Sequence, residues 1–164
     1  MKINRIWAMP NKWTFKIKPI EALLYKYVGD GKGWVDPFAN DNSPAQFTND
    51  INPDTKAKSH LDAYEFLQTF DDNSMGGVLL DPPYSFHQAT KTYNNKKLIV
   101  LTPIYQEVRR ILKPNGLVIH FGWNSNGIGA KNGFDIKELL IIPHGGHHND
   151  TIVTVEQKTQ GKLF

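Results

Sequence analysis

The stretch Gly77-Val78-Leu79-Leu80-Asp81-Pro82-Pro83-Tyr84 joins a short apolar segment to a rigid turn. Its apolar part, which ends at Asp81, predicts a buried β-strand. The two prolines stop that strand, because each fixes its own φ at about −65° and pushes the preceding residue toward extended backbone. We therefore expect Asp81 to lie at the carboxyl end of a strand, where the chain leaves the sheet as a stiff segment.

Strands and helices alternate along the rest of the sequence. We predict further strands at 34–36, 47–51, 117–122, 137–142 and 150–156, and helices at 19–28, 55–60, 63–70 and 98–112, with a stop and turn at 113–116. This alternation predicts an α/β fold with a mostly parallel sheet covered on both faces. Two glycines between the last two strands favour a hairpin, which makes one late strand antiparallel. We expect residues 1–164 to form a single domain, with residues 1–13 as an irregular N-terminal arm.

Composition excludes several classes of protein. The chain has no cysteine, so a disulfide framework, a thiolate metal site and a cysteine nucleophile are excluded. No segment resembles a signal peptide or approaches the roughly 20 apolar residues of a membrane span, so we expect a soluble cytoplasmic protein. The net charge of +3 is compatible with a nucleic-acid partner but does not require one.

Three acidic residues follow predicted strands. Asp36, Asp50 and Asp81 each stand where a strand ends. Ligands of parallel α/β sheets bind outside the carboxyl ends of the strands. We therefore expect the three carboxylates to converge on one crevice.

The residues after the central strand suit chemistry on an amino group. An exocyclic amine of a nucleic-acid base is a poor nucleophile, because its lone pair is delocalised into the ring. The Asp81 carboxylate and the Pro82 carbonyl could each accept one N–H, which favours a tetrahedral nitrogen with its lone pair directed at a methyl donor. Tyr84 offers a flat face on which a flipped base can stack. The alternative is that the motif is only a strand end and a turn.

The Asp-Pro-Pro-Tyr motif resembles the signature of DNA amino-methyltransferases, in particular the adenine-N6 type in its small phage or prophage form. Other stretches resemble the same family over roughly residues 14–157. They are the Lys-Pro segment before a Leu-rich helix (15–24), the Asp-Pro-Phe opening of the cofactor motif (35–39), an acidic strand end (49–53), the acidic Asp62-Ala63 pair, and a helix-turn-strand segment (108–118).

The resemblance implies a Rossmann-like S-adenosylmethionine-dependent methyltransferase fold. It also implies methyl transfer to the N6 amino group of adenine in DNA, without a metal, and it leaves a homodimer open. The catalytic residues it implies are Asp81, Pro82, Pro83 and Tyr84. The cofactor-binding residues are Lys18, Asp36, Pro37, Phe38, Ala39, Asp50, Ile51, Asp62, Ala63 and Asp81. The substrate-binding residues are Tyr84, Ser85, His87, Lys91, Trp123 and Asn124.

The sequence departs from the family pattern after Asp-Pro-Phe. The family continues with a glycine-rich loop, whereas residues 39–43 contain no glycine. Asn40 and Asn42 could keep the loop's shape, because Asn tolerates positive φ better than other non-glycine residues. This departure motivates a second hypothesis, a cofactor-binding or interaction protein without turnover. A third hypothesis keeps the chemistry but changes the substrate to RNA or a protein amide.

Several segments remain open to more than one interpretation. The run 144–150 contains three histidines, which suit a metal ion, a structural turn or a contact with phosphate or substrate. Trp123 follows a strand and could stack on a base, support the substrate loop or pack in the core. We expect no separate target-recognition domain, which leaves residues 1–13, 85–97 and 123–133 to contact DNA. A short or relaxed recognition site is therefore expected.

Overall fold

In a computed structural model that describes residues 1–83 and 100–160, the chain forms a mixed sheet flanked by helices. The strands are β1 (Lys2–Arg5), β2 (Trp34–Asp36), β3 (Phe47–Thr48), β4 (Met75–Leu80), β5 (Leu112–Gly122), β6 (Phe134–Ile142) and β7 (Thr151–Lys158). The helices are α1 (Lys18–Tyr27), α2 (Ala63–Gln68) and α3 (Leu101–Ile111), with 3-10 turns at Thr14–Lys16 and Ala130–Asn132.

The strand order in the sheet is β1-β6-β7-β5-β4-β2-β3. β7 runs antiparallel to both β5 and β6, and the other neighbouring pairs are parallel. The prediction of a mostly parallel sheet with a late antiparallel strand is therefore confirmed, as is the β6–β7 hairpin. One edge of the sheet gathers the carboxyl ends of β1, β2, β3, β4, β5 and β6. We call this edge the carboxyl edge.

An apolar cluster covers each face of the sheet. Alternating strand side chains separate the two clusters: Leu79 packs on the face covered by α1, whereas Val78 and Leu80 pack on the face covered by α2 and α3. Ile20, Leu23 and Leu24 of α1 are buried, because they recur at helical spacing on one side of the helix. Burial on both faces leaves the ends of the strands as the place for a polar site.

The structure corrects two of the predicted segments. Residues 2–5, predicted to be irregular, form edge strand β1, which pairs in parallel with Glu138–Ile141 of β6. Residues 55–60 form bends and an isolated β-bridge between Ser59 and Asn49 rather than a helix. Ser59 N donates to Thr48 O (3.1 Å) and Asp50 N donates to Ser59 O (3.0 Å), so this segment is held against the end of β3.

Two further boundaries differ from prediction. β3 ends at Thr48 rather than at residue 51. The predicted turn at 113–116 lies within the bounds of β5, where it bulges out of the ladder: Met75 is opposite Leu112, whereas Gly77 is opposite Leu117. Asn115 has a φ of 63°, which marks the turn inside the bulge.

Helix α3 begins at Leu101, three residues later than predicted, and residues 98–99 lie outside the described ranges. Among the described residues, no helix is long and apolar enough to cross a membrane.

Candidate active site

The carboxylates of Asp36, Asp50 and Asp81 converge at the carboxyl edge of the sheet. Asp36 is the last residue of β2, Asp50 follows β3, and Asp81 follows β4; β2 lies between β3 and β4 in the sheet. Burial is the largest cause of the raised pKa of Asp36, and the charges of Asp81 and Asp50 raise it further. The convergence expected from the sequence is therefore confirmed.

Asp36 is completely buried. Its Oδ1 accepts a hydrogen bond from Phe38 N (3.0 Å), and its Oδ2 accepts one from Ser43 Oγ (2.6 Å). Burial raises the pKa of Asp36 from 3.8 to about 7, although these two hydrogen bonds lower it. Asp36 thus fixes both ends of the segment 38–43 while it keeps a carboxyl group that is half protonated near neutral pH.

The glycine-free segment 39–43 turns at Asn40. Asn40 has a φ of 49°, and its backbone N donates to Asp50 Oδ2 (3.0 Å). Asn40 therefore adopts the left-handed conformation that glycine would otherwise supply, as the sequence suggested. Asn42 does not share this role, because its φ is not positive.

Asp50 is nearly fully buried and carries one backbone donor on each carboxylate oxygen. Asn40 N bonds Oδ2 and Asn52 N bonds Oδ1, each at 3.0 Å. Burial raises the pKa of Asp50 above its ordinary value, while these two hydrogen bonds lower it. A carboxylate oxygen has two lone pairs, so Asp50 keeps capacity to accept hydroxyl groups of a ligand.

Asn49 connects the parts of this site, and the sequence interpretation missed it. Its buried amide donates to Pro37 O (3.3 Å) and Leu61 O (2.9 Å), and its Oδ1 accepts from Leu61 N (2.9 Å). The turn after β2 and the chain before α2 are thereby held together. The only sequence signal was a polar residue directly after a strand, which is too common to be specific. Ser43, which bonds Asp36, was missed for the same reason.

Asp62 and Ala63 begin helix α2. Asp62 is exposed, and its Oδ1 accepts from Tyr64 N (2.9 Å), which makes it the N-cap of the helix. Ala63 is buried against the core. The structure therefore gives Asp62 a capping role, and cofactor binding by this pair stays a prediction.

The remaining predicted cofactor residues lie at three places. Pro37, Phe38 and Ala39 are buried directly after β2, and Ile51 is half-buried after Asp50. Lys18 is the exposed first residue of α1.

The structure describes only part of the predicted catalytic motif, residues 81–84. Asp81 and Pro83 are half-buried and Pro82 is buried, directly after β4. Tyr84, Ser85, His87 and Lys91 lie outside the described residues, so their predicted roles stay predictions.

The segment after β5 begins beside the catalytic motif, because β5 neighbours β4 and His120 is opposite Leu80. Trp123 is 45% exposed and Asn124 is exposed, so the core-packing alternative for Trp123 is wrong. Buried Glu156 of β7 accepts hydrogen bonds from Ile128 N (2.9 Å) and Gly129 N (2.8 Å). Glu156 therefore anchors the segment that carries Trp123.

His120 is a further buried polar residue that the sequence did not reveal. Its Nε2 lies 3.4 Å from Tyr105 Oη, and its Nδ1 has no hydrogen-bond partner among residues 1–83 and 100–160. Burial lowers the pKa of His120 to about 4, so the ring is neutral at physiological pH.

The histidine-containing turn between β6 and β7 is held by buried His144. Its Nδ1 lies 2.8 Å from Ala8 O, and its Nε2 lies 2.8 Å from Thr151 Oγ1. Since a carbonyl only accepts, Nδ1 carries a proton and donates it to Ala8 O, and Nε2 forms a hydrogen bond with the threonine hydroxyl. His147 and His148 are exposed, and within residues 1–83 and 100–160 no three His, Asp or Glu side chains are grouped as metal ligands. Of the alternatives considered for this run, a structural turn is therefore the one that describes His144.

Comparison with solved structures identifies the class of fold. The 1,6-didemethyltoxoflavin-N1-methyltransferase of Burkholderia thailandensis, solved with S-adenosylhomocysteine, matches with a TM-score of 0.58 and 14% identity, over 87% of this chain and 78% of that one. TrmN from Thermus thermophilus matches with a TM-score of 0.56 and 15% identity, over 87% of this chain and 49% of that one. The proposed methyltransferase yhhF of Escherichia coli matches with a TM-score of 0.55 and 10% identity, over 93% and 92%.

These similarities establish the fold. The chain has the Rossmann-like fold of S-adenosylmethionine-dependent methyltransferases. No protein-family model matches the sequence, and a search of curated proteins gave no significant match.

Proposed function

We propose that this protein is an S-adenosylmethionine-dependent methyltransferase that modifies the N6 amino group of adenine in DNA. The observation that carries the proposal is the position of Asp81-Pro82-Pro83 at the end of β4, beside the carboxylates of Asp36 and Asp50. This arrangement occurs in a methyltransferase fold and at the edge where such sheets bind ligands.

The residues at the ends of β2 and β3 suit the methyl donor. The donor carries a sulfonium and an ammonium cation, and three acidic side chains crowd this edge with pKa values of Asp36 and Asp50 raised by burial. A cation would relieve that crowding. Asp50 would accept ribose hydroxyls with its remaining lone pairs, and Phe38 would flank the cofactor as the family resemblance implies.

The chain's own groups would prepare the target amine. When bound, the cofactor supplies an electrophilic methyl group that needs no metal. The Asp81 carboxylate and the Pro82 carbonyl would each accept one N–H of the adenine amino group. This pair of acceptors would turn the nitrogen lone pair toward the methyl group, and Asp81 would take up the proton that the methylated nitrogen loses.

The hypothesis of a protein without turnover loses its main support. It was motivated by the missing glycines in residues 39–43; Asn40 adopts the positive φ that glycine allows, and its backbone N donates to Asp50 Oδ2. Residues 39–43, the proposed cofactor segment, are therefore held by hydrogen bonds in a defined conformation without glycine. Methylation of RNA or of a protein amide would use the same acceptor pair. An assay therefore has to distinguish DNA, RNA and protein as substrates.

A methyl-transfer assay tests the proposal. Purified protein is incubated with tritiated S-adenosylmethionine and, separately, unmethylated duplex DNA, single-stranded DNA, RNA and denatured protein. Label in DNA that digests to N6-methyladenine is the expected result. Asp81→Ala should abolish the label and keep the cofactor-induced rise in melting temperature. Label in RNA or protein alone would refute the DNA assignment, and full activity of Asp81→Ala would refute the site.

A further inference from the structure

The N-terminal segment lies along the carboxyl edge of the sheet. After β1, Ile6 N donates to Ile141 O (3.0 Å) and Ala8 N donates to Pro143 O (3.2 Å), which extends the ladder to the end of β6. The chain then crosses toward β5, where Phe15 packs on Phe121 with ring centroids 5.0 Å apart. Residues 6–13, which we call the edge arm, therefore run from the outer strands toward the strand beside β4 and Asp81.

The edge arm is fixed to the β6–β7 turn. His144 is buried and joins Ala8 O of the arm to Thr151 at the start of β7, with 2.8 Å at each ring nitrogen. Trp7 lies beside the same turn, since a Cβ on Gly145 would be 3.6 Å from Trp7 Nε1. The edge arm is thus held in a fixed position at the carboxyl edge.

The edge arm presents apolar and aromatic side chains to solvent. Trp7 is 61% exposed and Met9 is 68% exposed. Lys12 Nζ lies 4.8 Å from the ring centroid of half-buried Trp13. Single exposed apolar side chains scattered over a surface are ordinary in proteins. Several large ones in one segment, as here, indicate an interaction site.

Charge selects the kind of partner. Residues 1–18 contain five basic side chains and no acidic one, a formal charge of +5, whereas residues 30–81 contain three basic and ten acidic ones, a formal charge of −7. Lys16 is partly engaged by Glu21 at 3.7 Å. These counts include residues away from the carboxyl edge, such as Lys2 and Asp72. At the edge itself, Asp36, Asp50 and Asp81 form an acidic end, whereas the arm carries Lys12 and is followed by Lys16 and Lys18.

We infer that the edge arm, held by His144, binds the polynucleotide strand next to the target base. Aromatic side chains with nearby lysines are the combination that holds nucleic-acid strands, through base stacking and phosphate contacts. A second copy of this chain is a poorer partner, since Lys2 and Arg5 on the exposed edge strand would meet like charges. The inference rests on the proposed function for its partner class, and it adds a binding surface distinct from the acidic end.

Binding of a fluorescently labelled DNA duplex, and of RNA of the same sequence, tests the inference by anisotropy. Trp7→Ala should weaken DNA binding about tenfold, within the range measured for stacked aromatics. Lys12→Ala should weaken it and lower the slope of log affinity against log salt by about one. The matched controls are Tyr25→Ala, exposed on α1, and Lys113→Ala, exposed at the opposite end of β5; both should bind as wild type.

His144→Ala tests whether the arm must be held in place. His144→Ala should weaken DNA binding. Trp7→Ala should then cause a smaller further loss of affinity in the His144→Ala background than in the wild-type background. An unchanged cofactor-induced rise in melting temperature in every variant shows that the fold is intact. Fully additive losses would overturn the role of His144.

The outcomes separate this inference from the proposed function. Wild-type DNA affinity in both Trp7→Ala and Lys12→Ala would overturn the inference, whether or not methyl transfer occurs. A dimer in the wild type that Trp7→Ala dissociates, with DNA affinity unchanged, would overturn it in favour of a second copy. If Trp7→Ala weakens RNA binding more than DNA binding, the strand bound by the edge arm would be RNA. Loss of DNA binding in both variants of a protein that transfers no methyl group would support the inference and refute only the proposed function.

Discussion

Replacement of Asp36 by Asn should stabilise the protein above neutral pH. Asp36 is completely buried, and Asn can keep both of its contacts: Oδ1 still accepts from Phe38 N, and Nδ2 donates to Ser43 Oγ in place of the present bond. Asp36→Asn therefore removes a buried charge with little change in shape or hydrogen bonding.

The size of the effect follows from the pKa of Asp36. Burial raises that pKa from 3.8 to about 7, so between these pH values the folded protein binds a proton that the unfolded chain has lost. The free energy of unfolding of the wild type therefore falls as pH rises from about 4 to about 7, and it stays low above that. At 1.36 kcal/mol per pH unit the loss is on the order of 4 kcal/mol. Because the Asn side chain does not titrate, Asp36→Asn does not lose this free energy of unfolding as pH rises.

Urea unfolding of both proteins between pH 4 and pH 8, without cofactor, measures the difference. The two should be nearly equal at pH 4, and Asp36→Asn should be more stable at pH 8 by a few kcal/mol. The other buried carboxylates titrate in both proteins, and their contributions cancel except for the coupling of Asp50 and Asp81 to Asp36. Asp135→Asn, at an exposed carboxylate on β6, is the control and should change stability little at any pH. A difference that does not vary with pH, or a less stable variant at pH 8, would refute the reasoning.

The same variant should lose function while it gains stability. If Asp36 serves the cofactor, Asp36→Asn should show a smaller S-adenosylmethionine-induced rise in melting temperature than the wild type. A buried carboxylate that costs stability and supports binding is a stability–activity trade-off. An unchanged cofactor response would remove Asp36 from the cofactor residues.

Three further predictions concern the neighbouring residues and the product. Asp50→Ala should weaken S-adenosylmethionine binding in calorimetry, because it removes an acceptor for the ribose hydroxyls; Asp54→Ala, exposed, is its control, and equal affinities would contradict the assignment. Asn40→Gly should keep cofactor affinity, whereas Asn40→Val should lose about 1–2 kcal/mol of stability because a β-branched residue resists the φ of 49°; equal melting temperatures would contradict this reason. Methylation-sensitive sequencing of DNA from expressing cells should reveal a short or relaxed site; a site of about six or more specified base pairs, made by the purified monomer, would contradict it.

The sequence by itself determined the central part of the fold and of the site. The apolar run before Asp81 and the two prolines after it are local signals, and so are the strand ends at Asp36 and Asp50. Because parallel strands bring their carboxyl ends to one edge, these local signals also predicted that the three carboxylates meet. The glycines between β6 and β7 predicted the hairpin, and the tolerance of Asn for positive φ predicted the conformation of Asn40.

Only the tertiary structure decided the contacts that join distant segments. Strand β1 has four residues and no strong pattern, and it is a strand because β6 pairs with it from more than a hundred residues away. Residues 55–60 follow the end of β3 instead of forming a helix, because hydrogen bonds to Thr48 and Asp50 replace those of a helical turn. Asn49, His144 and Glu156 likewise act on backbone groups of remote segments. Short elements have little intrinsic stability, so their conformation depends on partners that no local stretch of sequence contains.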